Sequence, residues 1–156
     1  MNYIIRDMKP EEYPLLSDFL YEAIFIPEGM QKPDRTIIHQ PELALYIENF
    51  GQADDICLVA DAGVTVAGAI WSRIMNDYGH VGEDTPSLAI ALFEEYRNQG
   101  IGTVLMQAML QRLKEAGYRQ VSLSVQKANY ALRMYEKAGF RTVRENPEEC
   151  VMVREL

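Results

Sequence analysis

Disulfide and metal-ligand chemistry have little to work with in this sequence. It holds two cysteines in 156 residues, Cys57 and Cys150. Neither stands in a C-x-x-C pair or near a histidine at ligand spacing. Cys57 lies in the apolar run Ile56-Cys57-Leu58-Val59-Ala60 and reads as a small core hydrophobe. No metal site is expected, and the lack of a disulfide framework fits a reducing compartment. No apolar run approaches the ~20 residues of a membrane helix. The first seven residues lack the basic stretch and long apolar core of a signal peptide. The expected location is therefore the cytoplasm, with no membrane partner. Basic residues are also in the minority, 15 against 23 acidic ones, for a net charge of -8. Sequence-independent nucleic-acid binding needs a basic face and is not expected. The negative potential serves solubility and could equally draw a cationic amine. No internal repeat, low-complexity segment or linker is present.

What remains is the pattern of one globular domain over residues 1–156. Residues 2–7 read as a short strand with Tyr3 and Ile5 on one face. Leu15, Leu16, Phe19, Leu20, Ala23 and Ile24 recur at helical spacing after Pro14. Residues 26–41 form a proline-rich loop with a short helix around 35–39. Pro41 opens a second helix that is expected to stop near Gly51. Strands at 56–61 and 64–75 flank the Ala62-Gly63 turn as a hairpin. The acidic loop 76–86 follows, and long loops beside a sheet often carry function. Residues 87–93 form a continuous apolar strand and 101–116 a helix, with Val104, Leu105, Ala108, Met109 and Leu113 apolar. Residues 120–125 form the next strand. A strand–helix–strand unit places its two strands parallel. A last helix at 129–138 precedes a closing pair of strands at 140–144 and 150–154.

The most informative stretch joins the strand at 87–93 to its helix: Arg97-Asn98-Gln99-Gly100-Ile101-Gly102-Thr103. The first N–H groups of a helix have no internal partner and carry partial positive charge. Glycine lets the backbone take a positive φ and approach a ligand closely. Such a turn can cradle a phosphate or pyrophosphate, or it can serve strand–helix geometry alone. Other phosphate loops do not match. No G-x-x-x-x-G-K-[ST] occurs. A dinucleotide turn needs a third glycine where Leu105 stands.

Arg97-x-x-Gly100-x-Gly102 resembles the pyrophosphate loop of the GCN5-related N-acetyltransferases, the GNAT family. Ile90-Ala91-Leu92-Phe93 followed by Tyr96-Arg97 is similar to that family's central strand. Asn129-Tyr130-Ala131-Leu132-Arg133-Met134-Tyr135-Glu136-Lys137-Ala138-Gly139-Phe140 is similar to its second motif. The resemblance covers residues 87–140; the first half agrees in its order of elements. It implies an α/β (α+β) fold with a mixed, mostly antiparallel sheet of six to seven strands. Helices would cover both faces, and the fourth and fifth strands would be a splayed parallel pair. It also implies acetyl-CoA as cosubstrate, with its pantetheine arm along Ala91, Leu92 and Phe93. The pyrophosphate would sit on amides of Asn98, Gln99, Gly100, Ile101, Gly102 and Thr103, with Arg97 at the loop entrance. Dimers are common in the family, so a homodimer is one expected state.

The implied reaction moves an acetyl group to a primary amine by direct attack in a ternary complex. Two alternatives stay open: a non-catalytic acyl-CoA sensor, and a transferase of another acyl-CoA. Tyr135 matches the family's tyrosine near the thioester sulfur, a general acid. By periodicity alone it shares a face with Ala131 and Ala138 and reads as packing. Asn129 matches a cofactor contact and is also placed to cap its helix. His80 and Glu83, with Asp84 beside them, precede the central strand and are the candidate bases. Arg35 and His39 are assigned no role.

Overall fold

Helices cover both faces of one sheet, and the near-continuous apolar character of its middle strands follows from that. The computed structural model describes residues 2–156. Its strands are β1 (Ile4–Asp7), β2 (Ile56–Asp61), β3 (Val66–Arg73), β4 (Ser87–Leu92), β5 (Gln120–Gln126), β6 (Arg141–Glu145) and β7 (Glu149–Glu155). They form a seven-stranded sheet in the order β1-β2-β3-β4-β5-β7-β6. Every neighbouring pair is antiparallel except β4–β5. This is the mixed sheet with one parallel pair that the sequence predicts. Among the described residues, no helix is long and apolar enough to cross a membrane.

Strand alternation divides the core in two. On one face Cys57, Val59, Ala69, Trp71 and Ala91 pack with Leu16, Phe19 and Leu20 of helix α1 (Leu15–Ala23). On the other, Leu58, Ile70, Leu88, Val121 and Leu123 pack with helix α3 (Ile101–Glu115). Tyr135 of helix α4 (Ala131–Lys137) joins that second core. Val104 was expected on the buried side of α3 but is 39% exposed. The contacts of α3 instead run through Ile101, Leu105, Met106, Met109 and Leu113.

Helix α2 (Pro41–Ala44) is far shorter than the helix expected to run to Gly51. Its continuation is drawn into turns by side chains from β3. Arg73 Nη1 donates to the carbonyls of Leu45 (3.1 Å) and Glu48 (2.8 Å). The indole N–H of Trp71 donates to the carbonyl of Tyr46 at 3.0 Å. Those carbonyls would otherwise serve helical amides. Arg73 also grips Asp55 with both arms, at 3.2 and 3.0 Å. This pair is nearly enclosed, with side chains 8% and 3% exposed. Removing one partner of a buried pair strands the other charge. Asp55→Ala is therefore expected to destabilise the fold by about 3–5 kcal/mol, read from the urea midpoint.

Arg6 of β1 ties the chain's start to β2. It holds Glu12 at 2.8 Å and Asp61 at 3.0 Å. The guanidinium lowers the Glu12 carboxyl from its usual range to about 2. A depressed folded-state pKa stabilises above the unfolded value and is lost as pH falls. The contribution of this pair should thus fade between pH 4.5 and about 2. Glu12→Gln should flatten that part of an acid-unfolding profile.

Candidate active site

The site begins with the way β4 shares its main chain. Phe93 N–H donates to the Ala67 carbonyl at 3.0 Å. The register Ala69↔Ala91 and Trp71↔Ala89 continues that pairing, so these residues turn their polar groups to β3. Leu88, Ile90 and Leu92 turn theirs the other way, toward β5. There β5 meets β4 at one register position only, Ser87↔Ser122. Ser122 N–H donates to the Pro86 carbonyl at 3.0 Å. Lys127 N–H donates to the Glu148 carbonyl, and the β5–β7 register leaves Ser124 and Gln126 facing β4. Beyond Ser122 the two strands part. The main chains of Ile90, Leu92 and Ser124 line a cleft with no ladder partner across it. Interior strands seldom leave such groups unpaired.

At the open end of this fork stands the glycine turn. No main-chain N–H of Asn98, Gln99, Gly100, Ile101, Gly102 or Thr103 has an acceptor among the described residues; the first internal bond runs from Val104 to the Gly100 carbonyl. Asn98 and Gly100 take positive φ, +60° and +84°. Alternation of this kind turns successive amides to one side and makes a concave anion site. The turn is exposed, with open space above Gly100. Arg97 fixes its start: Nε donates to the Leu92 carbonyl at 3.0 Å, and Nη2 meets Glu22 of α1 at 2.9 Å. Its charge is therefore shared with Glu22. Buried Ile101 fixes the other end. Gly102 lies against Leu92, Ile90 and Met134.

Asn129 Oδ1 accepts from Ala131 N–H at 2.9 Å, so this side chain does cap α4. Tyr135 is 8% exposed and packs edge-on to Phe140, with ring centroids 6.1 Å apart. Its hydroxyl has no hydrogen-bond partner among the described residues. Burial pushes the phenol up to about 12. His80 Nε2 lies 3.4 Å from Glu83, whose side chain is 92% exposed. His80 Nδ1 is enclosed and without a partner. Glu83 and Asp84 line a cavity of about 490 Å³ with Asp54, Tyr118 and Gln120. That cavity adjoins the closed ends of β4 and β5, away from the glycine turn. Among the described residues, no group of three or more His, Cys, Asp or Glu could hold a metal.

Several residues at the fork carried no signal in the sequence. Ile90 is one, because strand parity depends on the β3 register. Ser87, Ser122, Asp77 and Tyr46 form a hydrogen-bonded group at the vertex. Asp77 could have been suspected from its place in the polar loop before β4; nothing in the pattern around Tyr46 marks it.

A strand pair forked after one residue leaves an open cleft, and free amides stand at its mouth in an arrangement compatible with an anion. Residues 18–140 match the acetyltransferase (GNAT) family, and the chain belongs to that family. It is 32% identical over 108 residues to an N-alpha-acetyltransferase of Sulfurisphaera tokodaii, covering 64% of each chain. It is 36% identical over 100 residues to a mycothiol acetyltransferase of Corynebacterium aurimucosum, covering 61% of this chain and 30% of that one. The match thus spans just under two thirds of the first relative's length and under a third of the second's. The PaiA N-acetyltransferase of Thermoplasma acidophilum, solved in complex with coenzyme A, shares the fold over the full length of both chains, with a TM-score of 0.71 and 20% identity.

The two glycines of the turn should respond oppositely to alanine. Gly100 needs its positive φ, and an L side chain there costs about 1–2 kcal/mol. A Cβ on Gly102 would meet its nearest atoms at 3.6–3.9 Å, ordinary contact. Gly102→Ala should hold or gain about 0.5 kcal/mol through helix propensity. Chemical denaturation of the two variants checks the contrast.

Proposed function

We propose that this protein transfers an acetyl group from acetyl-CoA to a primary amine by direct attack within a ternary complex. The observation that carries it is the fork: β4 and β5 pair once, at Ser87 and Ser122, and then part beneath a turn of free amides. An elongated arm fits between strands that have no ladder partner across the gap, where the N–H groups of Ile90 and Leu92 are free. A diphosphate suits the amides of residues 98–103, where helix dipole and nest act together. Arg97 would serve by fastening that turn to Leu92 and Glu22 rather than as a free cation.

With the diphosphate held at the turn, an arm running down the cleft brings its thioester alongside Leu92 and Ile90. Their N–H groups are directed there and can stabilise the charge that develops on the carbonyl oxygen. Tyr135 keeps its proton at neutral pH, so it can donate to the departing sulfur. Against a thiol of ordinary pKa, ~8.5, full proton transfer from this phenol is uphill. The same desolvation acts on the sulfur and narrows that gap. Asn129, at the start of α4, would fix the arm with its side-chain amide while its oxygen caps the helix.

The first relative's name specifies an α-amine. An acceptor panel should therefore begin with peptides bearing a free N-terminal amine, beside lysine peptides with blocked N-termini and small diamines. Acetyl-CoA with the right acceptor should release free thiol. Tyr135→Phe should lower kcat by about 10²-fold or more, within the range of general-acid contributions. The Kd for coenzyme A, measured by calorimetry, should stay within about twofold. Tight coenzyme A binding with no thiol release from any amine would instead support a sensor module.

A further inference from the structure

Buried charge holds the segment after α2 still. Arg73, paired with Asp55, takes the carbonyls of Leu45 and Glu48, and Trp71 takes that of Tyr46. The side chain that this fixed segment presents to the fork is Tyr46. Its hydroxyl donates to Asp77 Oδ2 at 2.8 Å. Asp77 Oδ1 accepts from Ser87 Oγ at 2.9 Å. Ser87 Oγ lies 3.3 Å from Ser122 Oγ, which donates to the Gly79 carbonyl at 2.7 Å. Ser87 and Ser122 are the residues where β4 and β5 still touch. Ser124, the next β5 residue on that face, lies near the phenol without hydrogen-bonding to it. A phenol–carboxylate pair therefore stands at the vertex, on the α1/α2 face. Tyr135 belongs to the opposite face.

The vertex does not need Tyr46 to stay closed, because the two serines and Gly79 bond without it. Nor does any cation neutralise Asp77 among the described residues. The other charged groups around the pair are few. Glu149 acts on the phenol from β7. His80 of the same loop donates its main-chain N–H to the Asp77 carbonyl. Arg144 of β6 is committed to the Tyr78 carbonyl, and Arg73 of β3 to Asp55. Burial and the Asp77 carboxylate both push the phenol above its ordinary range. Tyr46 is thus no phenolate base; it can accept a proton only by passing on its own.

We propose that Tyr46 and Asp77 together receive the proton that the attacking amine loses. This assignment rests on the acetyl-transfer activity proposed above. The acceptor nitrogen donates a hydrogen bond to Tyr46 Oη. As the C–N bond forms, that nitrogen becomes far more acidic than a free ammonium, near ~10, so a carboxylate suffices to take its proton. The N–H bond breaks toward Tyr46 Oη, the phenol's own proton moves to Asp77 Oδ2, and the C–S bond breaks as the sulfur leaves on the Tyr135 side. The thiolate, or thiol, carries away the electron pair. Tyr46 ends as it began and Asp77 returns its proton to solvent.

The test uses Tyr46→Phe and Asp77→Asn, acetyl-CoA, and the panel amine that wild type turns over fastest. Both variants should lose about 10²-fold or more in kcat, while the Kd for coenzyme A stays within about twofold. In Asp77→Asn, kcat should climb about tenfold per pH unit beyond the wild-type plateau, because hydroxide replaces the missing acceptor. If kcat stays within about threefold of wild type, with the same pH profile, the assignment is wrong. An equal loss of coenzyme A affinity also overturns it, since the pair then only holds the fork. Should wild type turn over no amine at all, the acetyl-transfer activity itself fails.

Discussion

One sheet hydrogen bond decides what the rest of this molecule can do. Ser122 N–H meets the Pro86 carbonyl, and beyond the Ser87–Ser122 bridge the ladder toward the glycine turn does not continue. A parallel pair in the interior of a sheet would normally continue, because unpaired main-chain groups are costly to bury. Here the strands diverge, and three residues, Ile90, Leu92 and Ser124, are left without a ladder partner across the gap, the Leu92 carbonyl being taken instead by Arg97. Everything around the gap compensates for that cost or exploits it.

The compensation is spread over elements distant in sequence. On one face α3 anchors through Ile101 and Leu105 while its first turn stays free at the cleft mouth. On the other, the Arg73–Asp55 pair binds a non-helical segment to β3. Gly79 rests against the main chain of Leu123 and Ser124 and accepts from Ser122, so the loop before β4 braces the vertex. A buried ion pair is weak evidence for stability on its own. Its carbonyl contacts here point to a positional use instead: they hold an irregular stretch of backbone where a helix would have carried Tyr46 elsewhere.

Residues 87–140 are legible in the sequence because local chemistry dictates them. Gly100 can take a φ that other residues resist, Gly102 permits close packing, and the heptad-like spacing of α3 marks its buried side. The parallel pair follows from the strand–helix–strand order alone. Other features depend on partners the chain pattern does not name. Leu43, Ala44 and Ile47 repeat as a helix should, yet Arg73 and Trp71 on β3 claim the carbonyls that would continue it. An unbroken apolar strand hides its parity, so only the Phe93–Ala67 bond reveals that Ile90, not Ala91, shares the cleft with Leu92. The pair formed by Tyr46 and Asp77 joins two loops through one hydrogen bond, and no spacing rule anticipates it. Glu83 is conspicuous in the sequence, but the fold sets it beside Tyr118 at the closed end of the fork.

The turn at residues 98–103 contains no cationic side chain, and neighbouring Arg97 is neutralised by Glu22. In the proposed function its hold on the diphosphate comes from peptide dipoles, which act over little more than a helical turn. The chain's net charge of -8 reaches further, across a Debye length of about 10 Å at 0.1 M salt. A polyanionic ligand must therefore approach uphill and be captured only on arrival. Added electrolyte would soften the approach and leave the grip intact, so encounter should quicken with ionic strength, opposite to the behaviour of a basic pocket.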